Sequence, residues 1–304
     1  MDDSARISYK DKMVKKIITH SGAFHADDVF AVATIEMLLS GNVSVLRSRE
    51  VSVINEGDYV VDVGGEYDAE KNRFDHHQTL GAGKRASGIP YASFGLVWKK
   101  FGEEVSGSRV SAETIDRKLV APIDSVDNGF LLARAEVDYS FLYDISDAIS
   151  AFVPTWSEGK GEIEKRFNEA VFFARRVLEL EIAHARALEE GAKAVLEEYH
   201  HAEDKRIIVL PIAYPWQETL RQFPEPLFAV YPKDAVWHVQ AVRDDVHGFK
   251  NRKDFPSSWA GLRNGELAKI SGVSDAVFCH RNLFMAVAKT REGAIALAKK
   301  VLVG

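Results

Sequence analysis

The chain has 304 residues, 46% hydrophobic and 28% charged, with a formal net charge of -6; this is long for one domain and enough for two packed cores. No stretch approaches the roughly eighteen consecutive apolar residues of a membrane span, and MDDSARISYKDKMVKK has neither the apolar run of a secretory signal nor the acid-poor character of a mitochondrial presequence. Cys279 stands alone, which excludes an intrachain disulfide and a multi-cysteine zinc site, and no long basic run offers a footprint for duplex nucleic acid.

These features predict a cytoplasmic protein with no membrane partner and a short disordered lead before Val14. Any phosphate such a chain handles must be gripped locally, and a bound divalent metal supplies concentrated positive charge that a residue count does not reveal.

In chain order, KKIITH (15 to 20) reads as a short buried strand, and DDVFAVATIEMLLSG (27 to 41) carries apolar residues at helical spacing before a glycine stop. VSVLRS (43 to 48) and DYVVDVGG (58 to 65) are further strands, the second broken by paired glycines. Strands alternating with helices predict an α/β fold with a parallel sheet, whose ligands sit beyond the carboxyl ends of the strands. His20 and Asp62 fall at such ends.

IPYASFGLVWKKFG (89 to 102) and AETIDRKLVAPIDSVDNG (112 to 129) read as partly helical, the latter running into a polar turn at Asp127, Asn128 and Gly129. A long amphipathic helix is expected over 162 to 199, with its charges on a solvated face and His184 structural. His200 and His201 just beyond it read as an exposed pair. RIIVLP, PLFAVYP and VWHVQAVR then predict a second sheet, and TREGAIALAKKVL a closing helix. A domain boundary is expected between 130 and 205, and no internal repeat is visible.

Residues at the predicted strand and helix ends of the first half share one chemistry. They are His20, His25, Asp27 and Asp28 in HSGAFHADD, Asp62 in VDVGG, Asp75, His76 and His77 in RFDHHQ, and Asp124 and Asp127 in IDSVDNG. Imidazole nitrogen and carboxylate oxygen without thiolate suit manganese, iron, zinc or magnesium. Each fragment alone is weak, because Asp and Asn also cap helices and fill turns. Four together point to a metal site.

HSGAFHADD, VVDVGGEYD, RFDHHQ and IDSVDNG resemble the successive motifs of the Myg exonuclease family, metal-dependent hydrolases related to the DHH phosphoesterases. PW at 215 and 216, SSWAGLR at 257 to 263, ISGV at 270 to 273, FCH at 278 to 280 and TREGA at 290 to 294 extend the resemblance to about Leu302. It implies a parallel-sheet, DHH-like catalytic domain (14 to 130), a mainly helical connector (131 to 204) and a smaller α/β domain (205 to 304) that closes over substrate. The activity implied is 3'-5' exonuclease action on single-stranded RNA, with two Mn2+ ions per chain, or Mg2+ or another divalent transition metal in their place.

By the same resemblance, His20, His25 and Asp62 hold one metal, and Asp27, Asp62, His76 and a carboxylate of IDSVDNG hold the other. Asp62 bridges them, His77 faces substrate phosphate, and Asp75 orients an imidazole. Asp28 competes with Asp27 as ligand and otherwise caps the helix; Asp127 competes with Asp124 and otherwise forms the turn. His280, Lys289 and Arg291 are candidates for substrate contacts, His280 equally for a satisfied interior histidine. Family members carry Gly-Gly-His-Arg directly before TREGA, whereas this chain has Ala286, Val287, Ala288 and Lys289. Lysine keeps the charge but cannot form the arginine fork. Two alternatives follow: a small-molecule phosphoesterase or pyrophosphatase on the same metal pair, and a metal-binding regulatory protein without turnover.

Overall fold

A computed structural model describes residues 14 to 130, 142 to 245, 248 and 250 to 303. The expected N-terminal lead and the first part of the expected connector, residues 131 to 141, lie outside the described residues. The chain divides into two compact units, one ending at Arg186 and the other beginning at Ala187.

The first unit begins with β1 (Lys15–Thr19), α1 (Ala26–Leu38), β2 (Val43–Arg47), α2 (Val51–Ile54), β3 (Tyr59–Val61), β4 (Tyr67–Asp68) and β5 (Arg73–Phe74). Their sheet has the order β2-β1-β3-β5-β4 and is parallel except for the β4–β5 pair. Parallel strands are covered on both faces and so read as unbroken apolar runs. In β1, Ile17 enters the main core with α1, while Ile18 packs on the other face with Ile54, Val60 and Val63. Ala26 to Ile35 of α1 are all buried, which makes it an interior helix rather than an amphipathic surface one.

The unit continues with α3 (Ser93–Ser106), α4 (Arg109–Ile115), α5 (Ala121–Asp127), α6 (Ile145–Ser150) and the start of α7 (Ile163–His201). Between α4 and α5, Asp116–Val120 form a π-helical segment. Its wider turn changes the angle at which α5 presents its side chains, a shift that a 3.6-residue period does not forecast. In α7, Phe167, Ala170, Val171, Ala174, Leu178, Ile182 and Ala185 recur at helical spacing in this core, and His184 is exposed. Val195 and Tyr199, farther along, belong to the core of the second unit.

The second unit adds β6 (Ile207–Val209), α8 (Gln217–Arg221), β7 (Phe228–Lys233), β8 (Val236–Ala241), α9 (Asn264–Ser271), β9 (Ala276–Cys279), β10 (Met285–Ala288) and α10 (Arg291–Val303). The sheet order is β6-β7-β8-β10-β9, with β6 and β7 parallel and the other pairs antiparallel. Lys233 faces Val236 across a turn that contains Asp234 at φ 55°, and so short a link permits only antiparallel pairing. TREGA has a structural reason: Asp275 accepts from the Thr290 amide (2.9 Å) and hydroxyl (2.6 Å), and a Cβ at Gly293 would collide with that carboxylate.

Candidate metal centre

The carboxyl ends of β1 and β3, the amino end of α1, the segment after β5 and the last turn of α5 bring imidazoles and carboxylates together. His20 follows β1 directly, and its neighbouring loop is tied down by Arg47 at the end of β2. The Arg47 guanidinium donates to Gly22 O (2.6 Å) and Glu164 (3.2 Å) and lies over the Phe24 and Phe167 rings. His25 precedes α1, and Asp28 Oδ1 accepts from the His25 amide at 2.9 Å, a helix-capping contact. The neighbouring Asp27 is fully buried.

Asp62 leaves β3 at φ 53°, a left-handed conformation that aspartate tolerates better than bulky residues do. Its carboxylate lies among three imidazoles. Oδ2 is 3.3 Å from His20 Nε2, and Oδ1 is 3.4 Å from both His76 Nε2 and His77 Nδ1. His20 Nε2 is also 3.3 Å from Asp28 Oδ2, while His76 Nε2 is 3.2 Å from Asp127 Oδ2 and 3.7 Å from Asp27 Oδ2. Asp75 is buried and holds the next turn of chain: it accepts from Gly65 N (2.6 Å) and His77 N (3.0 Å) and meets His77 Nδ1 at 2.8 Å. The imidazole that Asp75 orients is therefore that of His77.

The two carboxylates of IDSVDNG separate. Asp127 joins the cluster. Asp124, expected as the ligand of this motif, points elsewhere: it accepts from Arg85 Nη1 (2.6 Å) and Gly95 N (3.0 Å), with Arg85 also bound to Asp116. A Cβ at Gly95 would overlap the Asp124 carboxylate, so this is a close-fitted structural pair. Asp28 caps α1 through one oxygen and approaches His20 through the other.

Among the described residues, three overlapping sets place one ligand atom per residue within 4.8 Å of one another: His20, His25 and Asp62; Asp62, His76 and His77; His25, Asp27 and Asp127. Asp27 Oδ1, Asp28 Oδ2 and His76 Nε2 are buried yet have no hydrogen-bond partner. Buried polar atoms are ordinarily satisfied, so unpartnered imidazole nitrogen and carboxylate oxygen beside these sets fit a divalent cation.

The protonation equilibria are strained accordingly. Burial, and then the Asp62 charge, pushes Asp27 well up; burial raises Asp28 to about 7 against the pull of His20; burial also raises Asp127. Burial opposes protonation of His20 and His76, but their contacts with Asp62 outweigh it and both are raised. Asp62, although desolvated, is held well below the usual carboxylate range by these two imidazoles.

Sequence reasoning missed Ser93, at the start of α3. Its hydroxyl donates to Asp62 Oδ1 (2.9 Å) and its amide to Asp27 Oδ2 (3.3 Å), so one buried residue holds two carboxylates of the cluster. A serine at a helix start reads only as a cap, and its partners stand 31 and 66 residues away. Arg49 was missed too; it lines a cavity of about 330 Å³ with His20, His25, Asp62, Asp75 and His77.

The remaining candidates belong to the second unit. His280 follows β9, its Nδ1 accepts from Asn282 N (3.0 Å), and its ring centroid is 4.4 Å from that of Phe284. Lys289 and Arg291 are exposed at the end of β10 and the start of α10. Among the described residues, no helix is long and apolar enough to cross a membrane.

The model of the MYG1 exonuclease family, described as an uncharacterised protein family (UPF0160), matches residues 16 to 302. A MYG1 protein of Caenorhabditis elegans is 30% identical over 95% of this chain and 96% of its own. One from Dictyostelium discoideum is 32% identical over 94% of this chain and 96% of its own. The MYG1 exonuclease of Homo sapiens is 29% identical, covering 94% of this chain and 85% of its own. Matched from β1 to α10, the chain belongs to the MYG1 exonuclease family, a membership that supports a nuclease or related phosphoesterase role.

Proposed function

We propose that this protein is a two-metal phosphodiesterase that shortens single-stranded RNA from its 3' end and releases mononucleotides, in the cytoplasm. The observation that carries the reading is Asp62: its two carboxylate oxygens face different imidazoles, His20 and His76, as a carboxylate shared by two cations requires. His20, His25 and Asp62 would hold one ion, and Asp27, Asp62, His76 and Asp127 the other, with Asp127 in place of Asp124. Manganese is the first choice, with magnesium or another divalent metal as substitute. When bound, such a pair supplies an activated water and charge stabilisation for an in-line displacement at phosphorus.

The protein's own groups then divide the remaining work. Ser93 keeps the Asp62 and Asp27 carboxylates oriented, and Asp75 fixes the His77 ring by accepting from Nδ1. With Nδ1 so engaged, Nε2 of the exposed His77 is left to face a phosphate oxygen. His280, Lys289 and Arg291 would contact the substrate. The small cavity volume favours a second reading, a phosphoesterase acting on short nucleotides only.

Elemental analysis after chelation and manganese reconstitution should give two ions per chain; a value near zero ends the metal reading. A 5'-labelled RNA with manganese should yield a ladder receding from its 3' end. Cleavage of a dinucleotide or pyrophosphate with longer RNA untouched replaces the exonuclease by the small-molecule enzyme.

A further inference from the structure

Two arginines, Arg47 and Arg49, stand two residues apart at the end of β2 and have opposite fates. Arg47 is buried, with Nη1 and Nη2 donating to Glu164 and Gly22 O and the guanidinium lying over two aromatic rings. Arg49 is exposed, and its Nε donates to Ser21 O at 3.2 Å. The same carbonyl oxygen lies 3.3 Å from His20 Nδ1, so one backbone atom sets both the arginine and the imidazole beside the cluster. Among the described residues no carboxylate lies within ion-pair distance of Arg49, although Asp62 and Asp75 line the same cavity. Among the described residues it is also the single lysine or arginine lining the cavity.

An arginine anchored through Nε keeps Nη1 and Nη2 free to donate as a pair, and that fork matches the oxygens of a phosphate. An unpaired guanidinium in an acidic pocket repels cations and attracts an anion that brings its own oxygens. We infer that Arg49 is a substrate-binding residue whose Nη1 and Nη2 hold a phosphate group of the nucleotide entering this cavity. The inference rests on the phosphoesterase reading above and adds the chain's own positive contact for the substrate, separate from the metal ligands.

The test uses full-length, manganese-loaded protein with adenosine 5'-monophosphate and adenosine as probes, alongside hydrolysis of a short RNA. Arg49→Ala should weaken the monophosphate by about ten- to a hundredfold, the range for losing a charged hydrogen-bonding partner. It should raise KM by a similar factor, leave adenosine binding as in wild type and keep the full manganese content. Arg49→Lys should fall between the two, retaining charge without the fork. Unchanged monophosphate affinity in Arg49→Ala overturns the assignment while leaving the phosphoesterase reading intact. Loss of manganese, or equal weakening of adenosine and its monophosphate, also overturns it, because the residue then acts only by fixing the Ser21 loop. Wild-type protein that neither binds the monophosphate nor cleaves a phosphoester overturns the functional reading and this inference together.

Discussion

The chain contains two adjacent histidine pairs, and their surroundings differ entirely. His76 and His77 follow β5, where His76 Nε2 is buried among Asp27, Asp62 and Asp127 and His77 is held by Asp75. His200 and His201 close α7 and are exposed. His200 contacts the Tyr199 and Phe223 rings, and its carbonyl accepts from Lys205 Nζ at 2.7 Å. The dipeptide is the same; carboxylates delivered by distant segments make one pair a candidate metal site. The second pair, expected beyond the helix, lies within its last turn.

The sharpest way to break this comparison is His76→Ala, which should abolish measurable phosphoester hydrolysis and lower manganese content while the circular dichroism spectrum stays unchanged. Retained activity would show that His76, with its buried Nε2, contributes no more to function than the exposed His200. The separation of the two IDSVDNG carboxylates gives the next largest effect. Asp124→Ala removes the buried partner of Arg85 Nη1 and of Gly95 N, leaving Arg85 only Asp116, and should cost about 1–3 kcal/mol in chemical denaturation. Asp127→Asn should leave the denaturation midpoint near wild type and reduce manganese affinity instead. The opposite pattern would reverse their roles.

Asp75→Asn should reduce turnover by about ten- to a hundredfold, the usual consequence of losing the carboxylate that orients a working imidazole. A kcat unchanged from wild type would show that the His77 ring needs no such support.

A milder effect concerns pH. In the metal-free chain Asp27, Asp28 and Asp127 are raised and His20 and His76 are raised as well, so the native state holds more protons than the unfolded one. Their contribution is present at low pH and is lost as pH rises through the native values, by about 1.4 kcal/mol per pH unit for each net proton. Asp62, depressed, contributes oppositely, but its change is complete in the acid range, below the raised groups. Thermal stability of chelated protein should therefore fall between about pH 5 and pH 8, and manganese should restore most at the upper end. A flat profile with chelator would contradict the convergence of these groups. Smallest of all, the double variant His200→Ala, His201→Ala should match wild type in activity and manganese content and lie within about 0.5 kcal/mol in stability.

The sequence by itself determined the donor chemistry and much of the frame. Hard nitrogen and oxygen donors without thiolate, strands at 15 to 20 and 43 to 48, and the long helix were legible because local periodicity and residue type dictate them. The two-residue β4 and β5 were not, since they exist only through pairing with each other and with β3. Nor could the strand order and mixed direction of the second sheet be read from its apolar runs. Tertiary structure alone decided between Asp124 and Asp127: both sit in α5, and the π-helical turn before it, together with Arg85 arriving from 39 residues away, sets which one reaches His76. It alone joined Ser93 to Asp27 and Asp62, and separated the buried Arg47 from the exposed Arg49. Side-chain direction at a site follows from contacts made across the chain, and a one-dimensional pattern carries no term for them.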